Sequence, residues 1–541
     1  MINKIKILCK NNELLLQVFL LIVVSYLLTR HLYQVFPKEG LYQNSTIFFN
    51  LYKYASLKLI ILMLFPIVLY RLEWNDIFEK KFTVLKYFVF FIFLIYAWRV
   101  ITLDYNLYFN QPYHLDRITL CVLFILTLRF PLAFIYFMLL SLLFFYQVSY
   151  PSSELVFPRA YVYIKPLIEI LTLFIVFIFI KAIYKKISIL AFFMVVICFH
   201  ASNYFIPGLG KILLSEHYID WIWVNDLANI FIAKYSQGWL ASLVPLETME
   251  VFVGWISTIT IPMQIFAFLI QTIVLFVFFS KRLAFILFVS FELLHLGIFM
   301  LSGIFFWKWI LLNLAIIYVI RNLNSKDIQQ IFNYKSMLFT MPFIILGYGI
   351  FHSYWLAWYD TPLNNFNKIY AITEDGKRYK VDVNLFAPYD RVFYRRTLNS
   401  FMDKPLKPEW DTRSQDLMME LMKLSNQNDK HLMLKDINRF EKKYGVNEFN
   451  KLQQDKVIAF IQIFFRNLNA YKSSEFLWKD FSPLRDMYIS FDWDKILNEP
   501  GKVKEVEIIF YKQFYNHKEN KLMFLEEEKI FSIEIIKIAK D

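Results

Sequence analysis

Residues 200–223 read HASNYFIPGLGKILLSEHYIDWIW, from His200 to Trp223. The stretch begins inside a long apolar run, meets Pro207-Gly208-Leu209-Gly210, and delivers Lys211 where the apolar character fades. Two of the chain's 12 glycines stand here. Proline removes a helical donor and clashes with the preceding turn, so the expectation is a helix that breaks at this point. Beyond it come Glu216, His217 and Asp220, then Trp221 and Trp223. An amine at the end of an apolar helix, followed by an acidic, tryptophan-rich segment, has the character of the mouth of a membrane-embedded site.

The composition agrees with a membrane setting. Of the 541 residues, 58% are hydrophobic and 20% aromatic, against roughly 45–50% apolar residues in an ordinary soluble domain. The apolar excess lies almost wholly before residue 354. The expected fold is therefore a polytopic α-helical membrane protein of about nine to eleven spans (residues 1–353) with a C-terminal α+β extramembrane domain (residues 354–541). The net charge of +13 does not point to nucleic acid. Its lysines and arginines gather at the ends of apolar runs (Lys80 and Lys81, Lys185 and Lys186, Lys281 and Arg282), where they set topology. Cys9, Cys121 and Cys198 offer neither a disulfide framework nor a metal cluster, so no metal is expected.

Candidate spans cover residues 14–28, 57–69, 82–101, 118–148, 166–180, 187–206, 251–279, 283–301, 304–320 and 337–351. The run 118–148 is too long for one crossing, and Arg129-Phe130-Pro131 divides it into a hairpin or broken pair. The first run lacks a small-residue cleavage site and reads as a retained span. With two passes at 118–148, every basic cluster falls on one side, which places residues 207–250 and the C-terminal domain on the outer face of a bacterial inner or cell membrane. Residues 207–250 are too polar to span, and an amphipathic or re-entrant element in the interface is expected. Beyond the last span, 369–383 alternates around Asp375-Gly376 as a hairpin. Residues 411–424, 431–444 and 452–468 have helical periodicity, and 502–515 and 522–536 alternate as paired strands.

Ionisable groups at bilayer depth cost roughly 2.5–3.5 kcal/mol each, so each requires a reason. Glu292 and His295, three apart in FELLHLGIF, share a helix face and suit proton handling; the competing reading is packing. Lys165 and Glu169 around Pro166 read as an interfacial ion pair. Arg99 near Asp104 and Arg129 beside Pro131 read as snorkelling or structurally paired residues, Arg129 alternatively as an anion-binding one, and His200 as a core histidine or a pocket residue. Lys211, partly desolvated, is the candidate base, weighed against a snorkelling interfacial lysine.

Residues 204–211, YFIPGLGK, resemble the motif YFIAGxxK of the vitamin K-dependent γ-glutamyl carboxylases and of bacterial relatives that share the horizontally transferred transmembrane (HTTM) domain. Residues 291–307, FELLHLGIFMLSGIFFW, are similar to that domain's histidine-containing helix and aromatic-rich outer turn. The likeness covers about residues 195–320. It implies an HTTM-type membrane enzyme, a carboxylase (carbon–carbon lyase), in which Lys211 deprotonates a reduced quinone such as vitamin K or menaquinone hydroquinone. Oxygen and carbon dioxide would then serve to modify a peptide glutamate or another substrate at the outer face. His295 and Glu292 would support the base, with Tyr204, His200, Gly208, Trp221 and Arg129 around the pocket. The chain departs from the family in having Gly210-Lys211 where two lysines are usual, and in placing Ile212-Leu213-Leu214 before Glu216. The alternatives are a non-catalytic membrane maturation, immunity or assembly factor, and a membrane acyltransferase using His295. The expected partners are the bilayer and a peptide or protein substrate.

Overall fold

The computed structural model describes residues 12–32, 35–37, 40–54, 56–103, 108, 111–154, 164–386, 393, 396–406, 410–427, 429–470, 478–488, 496 and 501–535. The apolar half folds into a bundle. Its main helices are α1 (Glu13–Leu32), α2 (Thr83–Ile101), α3 (His114–Thr127), α4 (Pro131–Glu154), α5 (Lys165–Ile183), α6 (Ile189–Leu214), α7 (Leu227–Gln237), α8 (Leu246–Ile273), α9 (Lys281–Ser302), α10 (Trp307–Asn322) and α11 (Tyr334–Ile345).

Among the described residues, five helices are long and apolar enough to cross a membrane: Lys80–Ile101, Lys165–Ile183, Ile189–Leu214, Leu246–Phe276 and Lys281–Ser302. The expected spans at 304–320 and 337–351 form helices of only 16 and 12 residues. The long run 118–148 does divide, between α3 and α4, with Pro131 opening the second helix where its missing N–H costs nothing. Asp104 lies outside the described residues.

The helices differ in what surrounds them. The apolar window of α6 is 100% buried, whereas those of α8 and α9 are 28% buried. Helix α6 is therefore the axis of the bundle, and α8 and α9 form its rim. Val251, Trp255, Leu293, Leu296 and Met300 project from that rim. A soluble helix hides such side chains, and a lipid-facing helix displays them.

The break expected at residues 207–210 is not there: α6 runs through Pro207 to Leu214. The two glycines serve packing instead. A Cβ on Gly208 would lie 3.0 Å from the Gln271 Cβ, and one on Gly210 would lie 2.9 Å from the Ala357 Cβ. Small residues let helix α8 and the segment after α11 approach α6 closely, and close packing holds the helix together despite the proline.

The C-terminal half is a four-stranded antiparallel sheet with helices on it. Strands are β1 (Tyr359–Asp360), β2 (Leu363–Thr373), β3 (Arg378–Lys380), β4 (Pro405–Leu406), β5 (Asp411–Thr412), β6 (Val446–Asn447), β7 (Val503–Asn516) and β8 (Lys521–Glu534), and the sheet order is β3-β2-β7-β8. The expected hairpin is present, with Gly376 at φ +83° in its turn. Helices α12 (Gln415–Leu424), α13 (Lys430–Tyr444) and α14 (Lys451–Ala470) fall close to their periodic segments. Phe460, Ile461, Phe464 and Phe465 of α14 pack with Val506 and Ile508 of β7 in one core.

Within residues 207–250, Tyr218, Ile219, Trp223 and Leu243 are exposed, whereas the helix between them is covered. Helix α7 does not lie exposed in an interface, and residues from Phe231 to Gln237 are all buried. The sheet region covers its polar positions. The His517 Nε2 and Asn229 Oδ1 are 2.8 Å apart, Lys380 Nζ donates to the Gln237 carbonyl at 3.1 Å, and Lys234 lies 4.0 Å from the Trp410 ring centroid.

Candidate functional site

A cavity of about 1110 Å³ lies between the bundle and the sheet region. It exceeds the roughly 300–1,000 Å³ of ordinary small-molecule pockets. Helices α1, α5, α6, α8 and α9 line it from the bundle, and Trp358, Asp360, Trp410 and Arg413 line it from the C-terminal half. Lys211, His295, Tyr204 and Trp221 all reach it.

Lys211 sits in the last turn of α6 and is 8% exposed. Its Nζ donates to Gln271 Oε1 at 2.8 Å and lies 4.8 Å from the centroid of the Trp221 ring. Gly208, which does not line the cavity, explains the first contact, because its missing side chain brings Gln271 against α6. The Trp221 indole N–H is anchored on the Trp358 carbonyl at 2.8 Å. The amine is thus held by one neutral acceptor and one aromatic face, which leaves donor capacity for a ligand.

His295 belongs to a buried hydrogen-bonded chain. His200 Nε2 and Asn313 Oδ1 are 2.5 Å apart, Asn313 Nδ2 donates to the Tyr204 hydroxyl at 3.1 Å, and that hydroxyl is 3.3 Å from His295 Nε2. An amide oxygen only accepts, so His200 carries its proton on Nε2. The tyrosine hydroxyl, which accepts from the amide, thereby holds the His295 imidazole by its Nε2. The Tyr204 ring is locked by stacking on Phe291, with centroids 3.6 Å apart.

The remaining expected residues are arranged otherwise. His200 is fully buried on Asn313 and does not line the cavity, so the chain positions Tyr204 through it. Glu292 also lies outside the lining. It sits near Asn313, and its Oε1 has no hydrogen-bond partner among the described residues. Of Glu292 and His295, only His295 reaches the cavity, and its Nε2 meets the Tyr204 hydroxyl. Arg129 is exposed at the α3–α4 junction, 5.7 Å from the Phe130 ring centroid, because its helix has ended before the bundle interior. Lys165 and Glu169 pair at 3.3 Å and line the far end of the cavity.

One residue escaped the sequence reading. Asp360 on β1 is 4% exposed and lines the cavity. Its Oδ2 accepts from Asn225 Nδ2 and its Oδ1 from Trp358 Nε1, each at 3.0 Å. Its backbone N–H donates to Asn225 Oδ1 at 2.5 Å, and its carbonyl accepts from Asn229 Nδ2 at 2.9 Å. Burial pushes its carboxyl up to about 7, against the lowering effect of the Asn225 and Trp358 hydrogen bonds. The available signal was an acidic residue two positions after a tryptophan, soon after the last apolar run.

Among the described residues, no group of three His, Cys, Asp or Glu side chains is placed to hold a metal ion. In comparisons with family models, curated proteins and solved structures, nothing matches this chain.

Proposed function

We propose that this membrane protein is an enzyme whose reaction takes place in the cavity shared by Lys211 and His295, and that it uses a reduced quinone with oxygen, and carbon dioxide, to modify a peptide glutamate or another substrate. The observation that carries the reading is the convergence of Lys211, His295, Tyr204 and Trp221 on one large cavity. The lining suits an amphiphilic aromatic ligand. Near Lys211 it offers hydrogen-bonding groups and indole faces, and along α9 it is apolar, with open space where a Cβ on Gly297 would stand. Lys211 and Gln271 would hold the ligand's polar edge, and Trp221 would face its ring.

A bound hydroquinone would supply the oxidisable group and, with oxygen, the strong base that no side chain can provide. The chain's own part is binding, orientation and proton handling. The Lys211 amine accepts a proton at Nζ in a site shielded from bulk water, and His295 is oriented by the Tyr204 hydroxyl, which Asn313 holds in turn. The sheet region, on the outer face in this reading, closes the polar end with Trp358 and Trp410.

The test is oxygen-dependent oxidation of reduced menaquinone by purified protein, with Lys211→Ala alongside. A robust wild-type activity that falls at least about 100-fold in a folded variant supports the reading, as expected for loss of a general base. No oxidation by a folded wild type with several quinones would favour the membrane assembly factor instead.

A further inference from the structure

The cavity wall that joins the two halves of the chain is built differently from the rest. Residues 351–358, FHSYWLAW, follow a short helical turn at Gly347–Ile350, form neither helix nor strand, and run into β1. All of them except Ala357 line the cavity. The bundle walls are helices whose backbone groups bond one another. Here, among the described residues, the backbone groups of Trp355, Leu356 and Ala357 make no hydrogen bond. Side chains hold the segment instead. Lys165 Nζ on α5 donates to the His352 carbonyl, pairs with Glu169 at 3.3 Å and stands 4.6 Å from the Tyr354 ring centroid. The hydroxyls of Ser202 on α6 and Ser353 share a hydrogen bond. At the far end Trp355 and Ala357 pack on Gly210, and Trp221 Nε1 donates to the Trp358 carbonyl at 2.8 Å.

The near end carries an independent feature. A Cβ on Gly349 would meet nothing within 4 Å, and Gly349 is not among the glycines of positive φ. Neither packing nor backbone conformation requires a glycine there, so what it supplies is rotational freedom. Three residues on, His352 holds φ +51°, a sharp bend that few non-glycine residues adopt. Few backbone bonds, side-chain fastenings and a free glycine at the base are the construction of a hinged lid.

We propose that residues 351–356 are a strap that lifts about Gly349 to let the cavity exchange its occupant, and that Lys165 is its latch. Glu169 fixes the ammonium on α5, and the strap closes onto the bundle where that ammonium meets the His352 carbonyl. Opening breaks this charged hydrogen bond and the one between Ser202 and Ser353, while no helix or sheet ladder has to be undone. The far end stays seated on Gly210, so the movement is greatest around His352 and Ser353. The latch also gives a reason for an ion pair in an apolar helix that the chemistry at Lys211 does not use.

The test reads access to the cavity directly. Thr172 lines it on α5, nearly one turn beyond Glu169. Thr172→Cys, in a full-length chain whose Cys9, Cys121 and Cys198 are replaced by alanine, leaves one thiol behind the strap. Its rate of modification by N-ethylmaleimide is measured in purified protein. Lys165→Met should raise that rate about tenfold or more, the effect of one lost charged hydrogen bond on the open fraction. Lys165→Arg, which restores a donor, should return it close to the reference. Gly349→Ala adds a methyl to open space and stiffens the hinge, so it should lower the rate about two- to fivefold. A variant that merely loosens the fold raises labelling and does not lower it, so this arm separates a hinge from general destabilisation. Equal rates in the reference and Lys165→Met, or a Gly349→Ala rate at or above the reference, overturns the strap. Labelling needs neither quinone nor turnover, so its outcome stands whether or not the protein oxidises a quinol.

Discussion

At the scale of single residues, the cavity contrasts groups that a sequence advertises with groups that it hides. Lys211 and His295 stand out because ionisable side chains in apolar runs carry a large insertion cost. The same signal also marks His200, Glu292 and Arg129, which do not line the cavity. Cost identifies a residue that needs a partner; it does not say whether the partner is a ligand or an Asn313. Asp360 was hidden for the opposite reason. It stands in a polar stretch, WYDTP, and its burial is created by Asn225, 135 positions earlier. That burial has a consequence for stability. The Asp360 carboxyl is raised from an ordinary 3.8 to about 7 in the folded protein. Between those values the folded state keeps a proton that the unfolded chain has released, so stability falls as pH rises through this window. The advantage held at low pH is gone above the folded value. Thermal unfolding in detergent should therefore show a midpoint that declines across this range, with a shallower decline in Asp360→Asn. Equal slopes in the two proteins would place the pH dependence elsewhere.

Helices and turns were legible where periodicity alone decides, and misread where packing decides. The pattern around residues 207–210 follows the ordinary rule for a helix end, yet α6 continues because its glycines admit neighbours on both sides. Two other glycines on or beside α9 allow a direct comparison of what glycine does in this bundle. Gly303 caps α9 in the left-handed region at φ +69°, where an added Cβ would also strike the Tyr488 carbonyl and approach the Trp239 ring to 2.9 Å. Gly297 lies within the same helix, and an added Cβ would meet nothing within 4 Å. Gly303→Ala should lower stability by about 1–3 kcal/mol, combining backbone strain with the clash. Gly297→Ala should be neutral or stabilise by about 0.5–1 kcal/mol, the cost of glycine inside a helix. A differential scan of the two variants checks the pair. A tolerant Gly303 would mean that α9 ends less rigidly than its cap geometry indicates.

For the whole molecule, both halves were visible in the sequence, since apolar runs and strand alternation are local properties. The way they dock was not, because it depends on polar side chains meeting across long separations. Helix α7 reads as an interfacial element, yet it is roofed by the sheet region through His517, Lys380 and Trp410. The Leu522 N–H adds a hydrogen bond to Glu250 Oε1 at 2.8 Å, and Lys308 forms an ion pair with Asp486. These contacts leave Asn229, Lys234 and Gln237 buried and dependent on the C-terminal half for shielding or pairing. Removing that half would expose Trp410's partner Lys234 and open the cavity at its polar end. Unpaired polar groups tolerate water, but the apolar residues beside them, Phe231 and Ile232, do not. A chain truncated after residue 353 should therefore aggregate in detergent or unfold at a clearly lower temperature than the full protein, as judged by size-exclusion chromatography and thermal unfolding. If it remained monodisperse at the wild-type midpoint, α7 would have to be stable without its roof. The sheet region would then be an appendage, and Asp360 could no longer be counted as a fixed wall of the site.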